Sequence, residues 1–62
     1  MPKGVDAIRA VSADGWELAR IRGSHRVYKH PKKQGAVVIA GSPSKDLATG
    51  TWNNILRQAG LK

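Results

Sequence analysis

The sequence has no cysteine and no phenylalanine, and only four of its 62 residues are acidic. The lack of cysteine excludes a disulfide framework and a thiolate metal site. The longest uncharged apolar run, Gly35 to Gly41, is far shorter than the roughly 18 residues that cross a bilayer, so no transmembrane protein is expected. The N-terminus has no hydrophobic signal region, and we therefore expect a protein that is not exported and acts in the cytoplasm.

Large apolar side chains are also scarce, with thirteen Leu, Ile and Val beside eight alanines. A chain of this length buries roughly 60 % of its unfolded surface, so its stability should be modest. We expect one domain over residues 1–62, which excludes a multidomain enzyme and a Rossmann cofactor fold.

Positive charge is abundant, with a formal net charge of +7 at pH 7. Six of the eleven Lys and Arg, and both histidines, lie in the acid-free stretch 20–33. A solvated surface normally mixes signs, so this clustering predicts a polyanionic partner, above all a nucleic acid. The alternative is a charge that only keeps a small domain soluble.

Apolar periodicity and turn residues predict five elements. In chain order these are a helix over 5–14, strands over 16–22, 25–30 and 36–40, and a helix that Thr49 or Thr51 caps. Gly15 and Gly60 are placed to end the two helices. Three antiparallel strands with two helices on one face form an α+β domain of order α-β-β-β-α.

Packing details follow from the same pattern. The β-branched run Val37–Ile39 predicts that the third strand is the most buried. The first strand places Trp16 and Leu18 on one face but alternates imperfectly, which indicates a bulge or burial on both faces. The apolar stripe of the last helix predicts that Trp52 belongs to the core.

The sequence lacks the residues that several common kinds of catalytic site require. The four acids are scattered, which argues against a two-metal carboxylate site, and there is no Walker phosphate loop. His25 and His30, without cysteine or a nearby acid, make a weak metal proposal. We expect no metal and no cofactor.

The segment Arg22-Gly23-Ser24-His25-Arg26 suits metal-independent cleavage of RNA. A histidine can remove the proton of a ribose 2′-hydroxyl, whose oxygen then attacks the adjacent phosphate. The two flanking arginines would stabilise negative charge on that phosphate, and Gly23 would let the RNA backbone approach closely. The alternative is that His25 is only an exposed polar residue of a turn.

Further basic residues extend this candidate site. Lys29, Lys32 and Lys33 are expected to continue the RNA track. His30 lies an odd number of residues from His25, so a regular strand places the two on opposite faces. This argues against an acid–base pair and favours His30 as a strand end or a phosphate contact.

Three ordered segments match a known family. They are Asp14–Leu18, then Gly23-Ser24-His25 with Tyr28–Pro31, then Lys45–Leu47 with Gly50-Thr51 and Ile55–Leu61. On these segments the sequence resembles the HicA (YcfA-like) toxins, small ribonucleases of bacterial type II toxin–antitoxin systems. The resemblance runs from about residue 5 to the end of the chain.

The resemblance implies a fold like that of double-stranded-RNA-binding domains and cleavage of mRNA, with the histidine of Gly-Ser-His, here His25, as the catalytic residue. It also implies a HicB antitoxin that binds the toxin and blocks the site, with operator DNA reached through that complex. The sequence departs from the family at residues 40–44, where another histidine is often found, and at Trp52, where leucine is usual. A non-catalytic RNA-binding module of the same fold remains the alternative function.

Overall fold

The computed structural model describes residues 2–62 and confirms the predicted order of one helix, three strands and a second helix. In chain order the elements are α1 (Gly4–Ala13), β1 (Glu17–Arg22), β2 (His25–Lys29), β3 (Val37–Ala40) and α2 (Thr49–Gln58). Neither helix has the length and hydrophobicity that a membrane span within residues 2–62 would need.

The three strands form one antiparallel sheet in the order β1-β2-β3. The register between β1 and β2 steps at Ala19, which is a β-bulge. Of the two explanations for the irregular first strand, the bulge is therefore confirmed. Burial on both faces is wrong, because every residue of β1 is exposed.

Both helices lie on one face of the sheet and pack on each other and on β3. Val37 and Ile39 point into this layer and are 0 % and 1 % exposed, whereas Val38 between them points away and is 41 % exposed. The expected burial of the third strand thus holds for alternate residues only. The reason is that neither helix of residues 2–62 lies on the opposite face of the sheet, where only Val27, at the centre of the sheet, is buried.

The core is one cluster on the helix side of the sheet. Its buried members are Ala7, Val11, Trp16, Tyr28, Val37, Ile39, Leu47, Ile55 and Ala59. Trp52 is half-buried against this cluster rather than inside it. Leu18 pairs with Tyr28 and so lies on the same side, but it stays half exposed because the helices cover β3 and leave β1 open.

Glycine ends both helices as predicted. Gly15 and Gly60 have φ values of +104° and +75°, which place them in the left-handed region. At each helix end the glycine N–H and the next N–H donate to the last-turn carbonyls, as in a Schellman motif. The predicted threonine cap is wrong: Ala48 precedes the first helical residue of α2, and no side chain caps it.

Candidate functional site

His25 lies on the face of the sheet that is turned away from the helices. Because directly paired residues share a face, the outward residues of β3 identify their partners on the other strands. His25 pairs with Ala40 on one side and Arg22 on the other, so these three residues share the outward face. The next row, Ile21, Arg26 and Ile39, faces the helices. We call this surface the open face, and it consists of Glu17, Arg20, Arg22, His25, Val27, Lys29, Val38 and Ala40.

His25 stands at the start of β2, directly after a two-residue turn. Gly23 has φ +60° and Ser24 a negative φ, as in a type II′ hairpin turn, which matches the twist of antiparallel strands. A Cβ atom built on Gly23 would meet nothing within 4 Å. His25 is exposed, so a ligand can reach both the imidazole and the turn beside it.

Arg26 does not share the open face with His25. It pairs with Ile21 and Ile39 on the helix side, is half-buried, and donates from Nη1 to the carbonyl of Gly41 at 3.2 Å. The sequence placed one arginine on each side of His25 along the chain. In the folded sheet only Arg22 is on its face, because neighbouring residues of a strand point to opposite sides.

Other cations do gather on the open face. Arg20, Arg22 and Lys29 are exposed there, and Lys32 is exposed in the loop that follows β2. Glu17, paired with Lys29, contributes the acid of this surface. Arg20 was not among the residues assigned from the sequence, although its two-residue spacing from Arg22 was a signal that could have found it.

His30 directly follows the last residue of β2, as expected of a strand end, and its ring is bonded within the protein rather than left free for a phosphate. Its Nδ1 accepts the backbone N–H groups of Lys32 and Lys33 at 2.9 and 3.1 Å. Its other nitrogen, Nε2, therefore carries the proton and donates it to the Asp14 carbonyl at 2.8 Å. The ring also forms a T-shaped contact with Trp16, with centroids 5.3 Å apart, so both nitrogens and the ring itself make contacts inside the molecule.

Lys33 is engaged in the same region. Its ammonium group forms an ion pair with the Asp14 carboxylate and donates to the Ala59 carbonyl at 3.1 Å. The pKa of Asp14 is lowered, chiefly by the hydrogen bond from Lys33, while desolvation opposes that shift. The buried indole N–H of Trp16 has no partner of good hydrogen-bond geometry within residues 2–62, but it lies near Asp14 and favours the ionised carboxylate as well. We call this group of Asp14, Trp16, His30, Lys33 and Ala59 the closed end.

A cleft of about 480 Å³ borders the open face. Ser24 and Ala40 form the side next to His25, and the chain that leads into α2 forms the other side. Its lining residues are Ser24, Ala40, Gly41, Lys45, Asp46, Leu47, Ala48 and Thr51. The sequence had pointed to several of these residues through the resemblance, but not to a cavity among them, because they come from three separate segments of the chain.

In chemical terms the open face offers one exposed imidazole beside several cations. Within residues 2–62 no three His, Cys, Asp or Glu side chains come together in a way that could hold a metal ion. An imidazole is suited to proton transfer, and the cations beside it can attract phosphate.

Comparison with known proteins identifies the family of this chain. The family model described as "HicA toxin of bacterial toxin-antitoxin" matches residues 4–61, which is nearly the whole chain and includes both the open face and the cleft. A search of curated proteins gives no significant match. The chain therefore belongs to the HicA toxin family of bacterial toxin–antitoxin systems.

Proposed function

We propose that this protein is a metal-independent endoribonuclease that cleaves mRNA in the cytoplasm, with His25 as its catalytic residue. The observation that carries the proposal is the exposed imidazole on a cationic sheet face, in a chain of the HicA family. Members of this family are known as mRNA interferases, and an exposed imidazole to which no hydrogen bond is made within residues 2–62 is available for proton transfer.

The chemistry needs one proton acceptor and one proton donor. His25 takes the proton of a ribose 2′-hydroxyl as the 2′-oxygen attacks the adjacent phosphorus. The bond from phosphorus to the 5′-oxygen then breaks, and that oxygen receives a proton from the imidazolium or from water. The products are a 2′,3′-cyclic phosphate and a 5′-hydroxyl end, and the charge that develops on the phosphate is stabilised by Arg22.

RNA binding is assigned to residues that the fold leaves accessible. Arg22, Lys29 and Lys32 contact phosphates, and Arg20 joins them because it lies on the same face. Gly23 and Ser24 form a turn with open space above it, which lets the RNA backbone come close. Arg26 and Lys33, which the sequence also suggested for RNA, hold Gly41 and Asp14 and so act as positioning residues.

Membership of a toxin–antitoxin family implies an antitoxin partner. We infer that it is of the HicB type and that it covers the open face, where it would block His25. An acidic partner fits a chain with a net charge of +7 and would add stability to a small core by mass action. Operator DNA would be bound through that complex.

The decisive experiment incubates structured mRNA with purified protein in excess EDTA, beside a His25→Ala variant whose fold is verified by circular dichroism. We expect the wild type to cleave and the variant to lose at least about 100-fold in rate, the lower end of general-base contributions. The fragments should carry 2′,3′-cyclic phosphate ends.

Two other outcomes would reject the assignment. Equal cleavage by both proteins would mean that His25 is not catalytic. Absence of cleavage, with tight and salt-sensitive RNA binding by both proteins, would favour the non-catalytic RNA-binding module.

A further inference from the structure

The segment that leads into α2 has no role in the chemistry described above. Lys45, Asp46 and Leu47 line the cleft from one side, and Thr51 in the first turn of α2 completes that side. Leu47 is buried and, with Ala40 and Ala48, makes part of the lining apolar, while Ser24, Lys45, Asp46 and Thr51 supply the polar groups. A cleft of about 480 Å³ is large enough for one nucleotide.

Both backbone polar groups of Lys45 are hydrogen-bonded. Its N–H donates to the Ser42 carbonyl at 3.0 Å, and its own carbonyl accepts the Gly4 N–H at 3.0 Å. The side chain runs along the end of β3, where its Cδ would lie 3.9 Å from a Cβ built on Gly41. No hydrogen bond or ion pair engages its ammonium group within residues 2–62.

The same region is tied directly to the catalytic strand. The Gly41 N–H donates to the Ser24 carbonyl at 3.0 Å, and Arg26 donates to the Gly41 carbonyl. Ala40 is the pairing partner of His25. Because Ser24 and His25 are consecutive residues, their Cα atoms are about 3.8 Å apart, and the cleft begins one residue from the imidazole.

We propose that this cleft binds the RNA phosphate next to the one that is cleaved, with Lys45 as its cation. The proposal rests on the ribonuclease function proposed above, since that function sets the scissile phosphate at His25. The hydroxyls of Ser24 and Thr51 supply further donors to the phosphate oxygens. Lys45 thus acts as a substrate-positioning residue that fixes the register of the RNA strand relative to His25.

Asp46 allows a test in which two charge changes have opposite expected effects. It also lines the cleft, and its carboxylate repels a phosphate while Lys45 attracts it. Removing the lysine charge should therefore weaken binding of the flanking phosphate, and removing the aspartate charge should strengthen it. A loss of charge far from both the cleft and the open face, as at Arg57, should do neither.

The experiment measures binding of short RNA oligonucleotides that carry a 2′-deoxy sugar at the cleaved position. This sugar lacks the attacking hydroxyl, so the oligonucleotide stays intact during the measurement. Each oligonucleotide is used with no terminal phosphate, with a 5′-phosphate or with a 3′-phosphate. The proteins are the wild type, Lys45→Gln, Asp46→Asn and, as a control for charge, Arg57→Gln near the far end of α2. Thermal melting checks that each variant folds.

We expect one of the terminal phosphates to tighten binding by the wild type about fivefold, as one charge-assisted contact should. Lys45→Gln should lose this gain and lower the logarithmic salt dependence by about 0.7. Asp46→Asn should increase the gain, and Arg57→Gln should keep it.

Absence of any gain in the wild type, or an unchanged gain in Lys45→Gln, would overturn the proposal. The assay separates it from the proposed function. A Lys45-dependent gain in a protein that does not cleave mRNA would retain the phosphate site and reject the ribonuclease. If cleavage depended on His25 but the affinity gained from a terminal phosphate were the same in Lys45→Gln as in the wild type, only the phosphate site would be rejected.

Discussion

The two histidines of this chain lie five residues apart and have opposite environments. His30, in the closed end, uses both ring nitrogens in hydrogen bonds and packs an edge against Trp16. His25, on the open face, is exposed and lies beside Arg22. One histidine joins the end of α1 to the loop after β2, whereas the other remains available to a ligand.

The lysines divide in the same way. Lys33 bonds to Asp14 and to the end of α2, while Lys29 and Lys32 extend into solvent. All three come from one uninterrupted basic stretch of the sequence. The comparison shows that the role of a basic residue depends on which acceptors the fold brings within its reach.

The largest difference between the two regions should come from exchanging each histidine for alanine. His25→Ala should reduce RNA cleavage by at least about 100-fold and leave the unfolding midpoint unchanged. His30→Ala should cost about 2 kcal/mol of stability, because two backbone donors and one carbonyl lose their partner. Cleavage assays and urea unfolding of both variants measure the two effects.

If His25→Ala lowered stability as much as His30→Ala, the open face would be part of the structural framework. The contrast between the two regions would then be wrong.

The glycines beside the two histidines offer the next comparison. Gly15 has φ +104°, and a Cβ there would lie 2.8 Å from Nε2 of His30. Gly15→Ala should therefore cost at least about 2 kcal/mol through backbone strain and displacement of the ring. Gly23→Asn, at φ +60° with open space around it, should cost less than Gly15→Ala, because it meets backbone strain but no steric overlap.

For Gly23 we expect the larger effect on the rate of RNA cleavage rather than on stability. Its new side chain would stand where the RNA backbone approaches, so Gly23→Asn should cleave more slowly while it stays folded. Unfolding curves and cleavage rates on the same samples test both statements, and a fully active Gly23→Asn would show that the turn does not approach RNA.

Acid should loosen the closed end. The pKa of Asp14 is lower in the folded protein than its ordinary value of 3.8, chiefly because of the Lys33 hydrogen bond. Its contribution to stability is therefore present above about pH 3.8 and is lost as the pH falls through the lowered folded value. Asp14→Asn should remove this part of the pH dependence, measured by urea unfolding between about pH 6 and pH 2.5.

In that experiment the wild type should lose more stability on acidification than Asp14→Asn does. Parallel curves for the two proteins would show that the ion pair does not couple stability to pH.

The smallest effects should separate two lysines. Lys29→Gln should lower the logarithmic salt dependence of RNA binding by about 0.7 without changing the melting temperature. Lys33→Gln should lower the melting temperature, because the bonds to Asp14 and Ala59 are lost. Identical behaviour of the two variants would mean that both lysines belong to one surface.

The sequence placed some residues of the candidate site together correctly and others not, for specific physical reasons. His25 and Arg22 were assigned from a short local motif, and the sheet register places them side by side. Arg26 was assigned from the same motif, yet its carbonyl acceptor is fifteen residues away at Gly41, beyond the reach of local reasoning. The threonine cap failed because two candidates stood near the start of α2 and neither side chain meets a free N–H there.

The sequence by itself determined the order of the five elements and the glycine ends of both helices, because periodicity and left-handed turns are local properties of the chain. It also determined the net charge of +7, from which we predicted a polyanionic partner. Only the tertiary structure decided which cations remain accessible and which are bonded internally. It also decided that Ser24, Lys45 and Thr51 line one cleft beside His25. Such groupings depend on long-range contacts between the sheet and the segment before α2, and these contacts form only when the chain packs around one core.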